Sequence, residues 1–75
     1  MSLRKDIAKE INILEKEMQQ LEFKRTRSMA ALMESLISKK DPAETEMQFF
    51  RQYSAEIEVK REKLMSLTEQ LKKLI

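Results

Sequence analysis

Ser38-Lys39-Lys40-Asp41-Pro42 is the one interruption in a chain that otherwise reads as helix, and its chemistry decides the fold. Pro42 is the single proline, and there is no glycine. A proline inside a helix removes a backbone donor and clashes with the preceding turn, at about 3 kcal/mol or more. The same residues suit a helix start: Asp41 can cap, Pro42 fits the first helical position, and Glu44 completes a capping box. Lys39 and Lys40 stand where a preceding helix exposes its last carbonyls, a place that favours cations, although the glycine that commonly ends a helix is missing. The sequence thus predicts a first helix over about residues 3–38, a turn at 39–41 and a second helix over about 42–75, together one domain, 1–75.

On the N-terminal side of this break the apolar residues fall at Ile7, Ile11, Leu14, Met18, Leu21, Met29, Leu32 and Leu36. Steps of three and four place them on one face of a helix. Arg25 holds the stripe position between Leu21 and Met29. At about 3.6 residues per turn this stripe predicts a nearly straight helix. Beyond the break, Phe50, Tyr53, Ile57, Lys60, Leu64, Leu67, Leu71 and Leu74 form a heptad seam in which only Lys60 is charged. Such a seam packs against another helix.

If the chain reverses at Asp41, residues equidistant from it should face each other. The two stripes meet that condition: Leu32 with Phe50, Met29 with Tyr53, Met18 with Leu64, Leu14 with Leu67, Ile11 with Leu71 and Ile7 with Leu74. Lys60 is matched to Glu22, and Arg25 to Ile57 between Glu56 and Glu58. The expected fold is therefore all-α, an antiparallel two-helix hairpin of coiled-coil type with arms of about 54 Å. The competing architecture, one continuous helix dimerising as a parallel coiled coil, would place Pro42 in a helix interior and leave the stripe empty at Lys39, Lys40 and Asp41.

Composition bounds what such a hairpin can do. A chain of 75 residues rarely buries enough apolar surface for more than a few kcal/mol of stability, so completion by a partner or by dimerisation into a helical bundle is expected. With 15 basic and 13 acidic residues the net charge is only +2, which is no nucleic-acid footprint. Lys24, Arg25 and Arg27 lie near Lys60, Arg61 and Lys63 in the mirror register, but Glu22, Glu56, Glu58 and Glu62 interleave with them, as in a solvated face. The chain has no cysteine and no histidine, which removes thiolate metal sites and the commonest general base. Glu15/Glu17 and Glu56/Glu58 are two apart on a helix and point to different faces, so neither pair shares a proton or a metal. No glycine-rich loop is present to hold phosphate. The longest apolar run, Met29 to Met33, is far short of the roughly 20 residues of a membrane span, and the N-terminus does not read as a secretory signal. The expectation is a cytosolic, non-catalytic chain without cofactor, metal or small-molecule substrate.

Apolar residues off the seam carry the functional signal. Phe23, Ala30, Met33 and Ile37 form a second line on the first helix, Met47 and Phe49 add to it from the second, and Phe50 and Tyr53 adjoin them at the same end. Contiguous exposed apolar patches mark interfaces, and methionine suits an adaptable one. The partner expected is a helical protein or a second copy. Val59, Met65 and Ile75 are thinner additions elsewhere.

The segment Asp41-Pro42, Gln48-Phe49-Phe50-Arg51-Gln52-Tyr53, Ile57-Glu58 and Leu64 resembles the second helix of the small E-component co-chaperones of bacterial type III secretion needles. The likeness covers about 25 residues of generic helix character. It implies a cytosolic hairpin that joins a larger helical-repeat chaperone to keep the needle subunit monomeric, with Phe49, Phe50 and Tyr53 at packing and partner-contacting positions. The arms here are longer and more heavily charged than in that family, and a similar pattern occurs in the coiled-coil stalk proteins of the same export systems. The function expected is thus a protein–protein interaction module of co-chaperone or adaptor type; the alternative is a structural protein whose copies form a homodimeric four-helix bundle.

Overall fold

The computed structural model describes residues 2–74, so the seam's flanking residue Ile75 lies outside the described residues. Two helices, α1 (Leu3–Ile37) and α2 (Glu44–Lys73), pack along each other as a hairpin measuring 56 × 16 × 15 Å. The chain reverses at the predicted break, and the long dimension matches the arm length expected from helical rise.

The bend is built differently from the sequence expectation. α1 ends at Ile37 with Ser38 as its C-cap, and Lys39 adopts the left-handed conformation with φ 58°. The Lys39 amide donates to the Leu36 carbonyl at 3.1 Å and the Lys40 amide to the Ser35 carbonyl at 2.9 Å. These two bonds are the paired closures of a Schellman motif, with lysine at the position glycine usually fills. α2 begins at Glu44 rather than at residue 42; its N-cap is Ala43, and no side chain caps it. Asp41 and Pro42 therefore belong to the connection, and the capping box does not form. The chain must travel the 8–10 Å between packed helix axes before a second helix can start, and the extended backbone that ends at Ala43 makes that crossing. Glu44 and Glu46 in the first turn of α2 favour the positive end of its dipole instead of a cap.

Ile7, Leu14, Leu21 and Ser28 are the buried residues of α1, seven apart throughout, and Ile57 and Leu67 are those of α2. Ile7, Leu14 and Leu67 form one cluster against which Ile11 and Leu71 pack. The apolar part of the mirror register holds at the open end, where Leu14 and Leu67 share a cluster against which Ile11 and Leu71 pack, as expected. The pairing of Ile7 with Leu74 does not form: Leu74 is exposed, and Ile7 lies in the cluster with Leu67. Lys60 donates from Nζ to Oε2 of Glu17 at 2.6 Å rather than to Glu22, and Lys63 lies 3.9 Å from Glu10. Arg25 joins no ion pair among the described residues. The lysine contacts thus lie nearer the N-terminus of α1 than the apolar pairs do, because a long lysine side chain can reach along the neighbouring helix.

Candidate functional site

The seam of α1 changes character at Arg25. Up to Leu21 it is aliphatic. Beyond Arg25 the sequence offers two continuations, one through Met29 and Leu36 at a period of 3.6, the other through Ser28 and Ser35 at the strict heptad period of 3.5. The structure takes the second: Ser28 is buried and Ala31, Leu32 and Ser35 are half-buried, while Met29 and Leu36 stand exposed. Met29 and Leu36 are thus corrected from seam to surface residues. The heptad period wins because α1 and α2 stay in contact along their length only if the stripe follows the partner helix. The half-buried Ser35 hydroxyl is satisfied within its own helix, donating from Oγ to the Ala31 carbonyl at 3.1 Å.

Small residues at the seam leave the helices incompletely closed beside the bend. An open groove of about 430 Å³ runs there, its floor Ser28 and Ala31, its α2 wall Glu46, Phe49 and Tyr53. The rings of Phe49 and Tyr53, one turn apart on α2, stack with centroids 6.0 Å apart and planes 16° from parallel. Tyr53, Phe50 and Met47 are half-buried on the inner side of α2, and Phe49 is exposed at the groove's rim.

The remaining members of the expected cluster lie on the other side of α1. Phe23 is 65% exposed, Met33 56% and Ile37 79%, and Ala30 is exposed between them. With Thr26 they step by three and four along the face opposite the seam. The eight residues singled out from sequence therefore divide: Phe23, Ala30, Met33 and Ile37 make an outer stripe on α1, while Met47, Phe49, Phe50 and Tyr53 belong to the groove and seam. Met29 and Leu36, which the sequence reading gave to the core, flank the outer stripe and enlarge it. The signal that could have placed them was the run of Ile7, Leu14 and Leu21 at sevens, which projects onto Ser28 rather than Met29.

Around the central basic residues, Arg61 pairs with Glu58 one turn away at 3.4 Å and Lys60 and Lys63 reach across to α1. The belt is thus partly neutralised by its own helices. Among the described residues no group of acidic side chains converges as a metal site would require, and no helix is long and apolar enough to cross a membrane. Comparison with protein-family models, with curated proteins and with solved structures gave no match. The likeness of α2 to secretion co-chaperones stands on the residues quoted for it alone.

Proposed function

We propose that this chain is a non-catalytic protein–protein interaction module, a helical hairpin that offers the outer face of α1 beside the bend to another helix. The observation that supports it is an inversion: in this half of α1 Ser28, Ala31 and Ser35 face α2 with Leu32 the one large apolar residue among them, while Phe23, Met29, Met33, Leu36 and Ile37 are exposed. A hairpin that worked alone would gain by the opposite arrangement, since each large apolar side chain moved from water to a core contributes about 1.5–3 kcal/mol. Contiguous exposure of this kind fits docking of one amphipathic helix on another. A cytosolic co-chaperone role is the setting that the resemblance of α2 suggests, and that resemblance would seat a larger helical partner at Phe49, Phe50 and Tyr53 rather than on the outer stripe.

The test compares two variants by circular dichroism and by co-purification of a tagged chain with whatever it binds. Met33→Asp/Ile37→Asp should keep the helical signal and lose association; Leu14→Asp, in the buried cluster, should lose the helix itself. Equal loss of helix in both would show that the outer stripe is core and would sink the proposal.

A further inference from the structure

We infer that the outer stripe of α1 is covered by the same stripe of a second copy, lying antiparallel about a two-fold axis at Ala30. This rests on the interaction reading above and specifies its occupant. The stripe of Phe23, Thr26, Ala30, Met33 and Ile37 is about 21 Å long, roughly four turns. Its centre is its smallest member, so two helices can approach most closely there, with Phe23 of each copy reaching the Ile37 end of the other. Thr26, the one polar residue of the stripe, already donates its hydroxyl to the Glu22 carbonyl at 2.9 Å. Its donor therefore needs no partner across an interface.

The flanks of the stripe fix the orientation. Arg27 and Glu34 lie along one edge, Met29 and Leu36 along the other, and neither charged residue joins an ion pair among the described residues. A two-fold axis perpendicular to antiparallel helices brings like edge to like edge, so the Arg27 of each copy meets the other copy's Glu34 and the apolar edges meet each other. A two-fold axis along parallel helices brings unlike edges together. It would set Arg27 and Glu34 against methionine and leucine and leave both charges unanswered. Self-complementarity of this kind is the signature of an isologous interface, and the charge pattern selects the antiparallel register against its alternative.

Sedimentation equilibrium on the full chain tests the assignment. The wild type should sediment at twice its 9.0 kDa mass. Glu34→Arg should weaken the dimer by roughly tenfold or more, because two attractive contacts become repulsive ones. Arg27→Glu should do the same; since Arg27 shares the inter-helix groove with Glu46, Glu34→Arg is the cleaner single change. Arg27→Glu/Glu34→Arg should restore the dimer, and the two positions are too far apart on one helix to rescue each other within a chain. The chain has no cysteine, so single replacements report orientation: Ala30→Cys should oxidise to a linked dimer, whereas Phe23→Cys and Ile37→Cys alone should not. Cross-linking of all three to equal extent would mean a parallel pair and would overturn the inference. So would single and double charge variants of equal affinity, or a wild type that remains a helical monomer. A monomer leaves the interaction reading standing if Met33→Asp/Ile37→Asp is also helical; collapse of that variant would remove both.

Discussion

Lys39→Gly should stabilise the hairpin, and the size of the gain follows from the geometry of the bend. Lys39 holds φ at 58° because the Schellman bonds from its own amide and from that of Lys40 require a left-handed residue there. That conformation costs an L-residue roughly 1–2 kcal/mol through crowding of its Cβ against the following carbonyl. Glycine removes the crowding but loses more freedom on folding, by about 0.5–1 kcal/mol. The lysine charge beside the end of α1 returns about 0.3–1 kcal/mol at low salt, and salt screens that term. The net gain is therefore small at low salt and approaches 1 kcal/mol at high salt, which for a chain of this size raises Tm by about 4–8 °C per kcal/mol. Thermal melts followed by circular dichroism, at one fixed protein concentration so that association does not contribute, should show the gain growing with ionic strength. Lys39→Ala is the control, since it discards the charge and keeps the Cβ. A glycine variant no more stable than the alanine variant would refute the reasoning, because the left-handed residue would then carry no cost to relieve.

Ile57 is only 1% exposed, the most deeply buried side chain of the hairpin, so Ile57→Ala should cost about 2–5 kcal/mol and largely abolish the cooperative urea transition. Lys60 occupies a seam position between Ile57 and Leu64 and turns outward to Glu17, with 30% and 45% of the two side chains exposed. A pair this open is worth under about 1 kcal/mol, and Lys60→Leu should shift the urea midpoint upward; a downward shift would show the ion pair to be net stabilising. Ser28→Leu should fill part of the groove beside the bend and stabilise the isolated chain by on the order of 1 kcal/mol, read by the same titration. Unchanged or lower stability would mean that the groove cannot close around a larger residue.

The hairpin was legible because two signals agreed: Pro42 forbade a continuous helix, and two separate apolar stripes ended on either side of it. The residues at the open end were equally legible, since Ile7, Leu14 and Leu67 satisfy the 3.5 and 3.6 periods alike over the short distance involved. Beyond Arg25 the periods part, and hydrophobicity then misled: Met29 and Leu36 were more apolar than Ser28 and Ser35, yet continuity of contact with α2 decided which were buried. The bend was misjudged for a related reason. Asp41-Pro42 has the composition of a helix start, but composition does not count the residues needed to cross from one helix axis to the next, and that count moved the start to Glu44. The charged pairing was less legible than the apolar one, since a long lysine side chain can reach along the neighbouring helix, and Lys60 met Glu17 in place of Glu22. Of the candidate surface, the outer stripe could be read directly from Phe23, Ala30, Met33 and Ile37; its division from the groove residues of α2 required the rotational setting of the two helices.

The two halves of the hairpin therefore stand in a definite order of dependence. The buried cluster of Ile7, Leu14 and Leu67 lies at the open end, and Leu21 and Ile57 extend the apolar seam toward the middle. No large apolar side chain of α1 beyond Leu21 is buried within the chain. In the bend half Leu32, Met47, Phe50 and Tyr53 are only half-buried between the helices, while Phe23, Met33 and Ile37 stand exposed on the outer face of α1. Because those side chains lie opposite the seam, covering them does not require α1 and α2 to separate. Association at the outer stripe would add stability to the half that has least, so folding of the bend half and docking are thermodynamically linked, while the open end supplies the rigid frame that keeps the stripe presented.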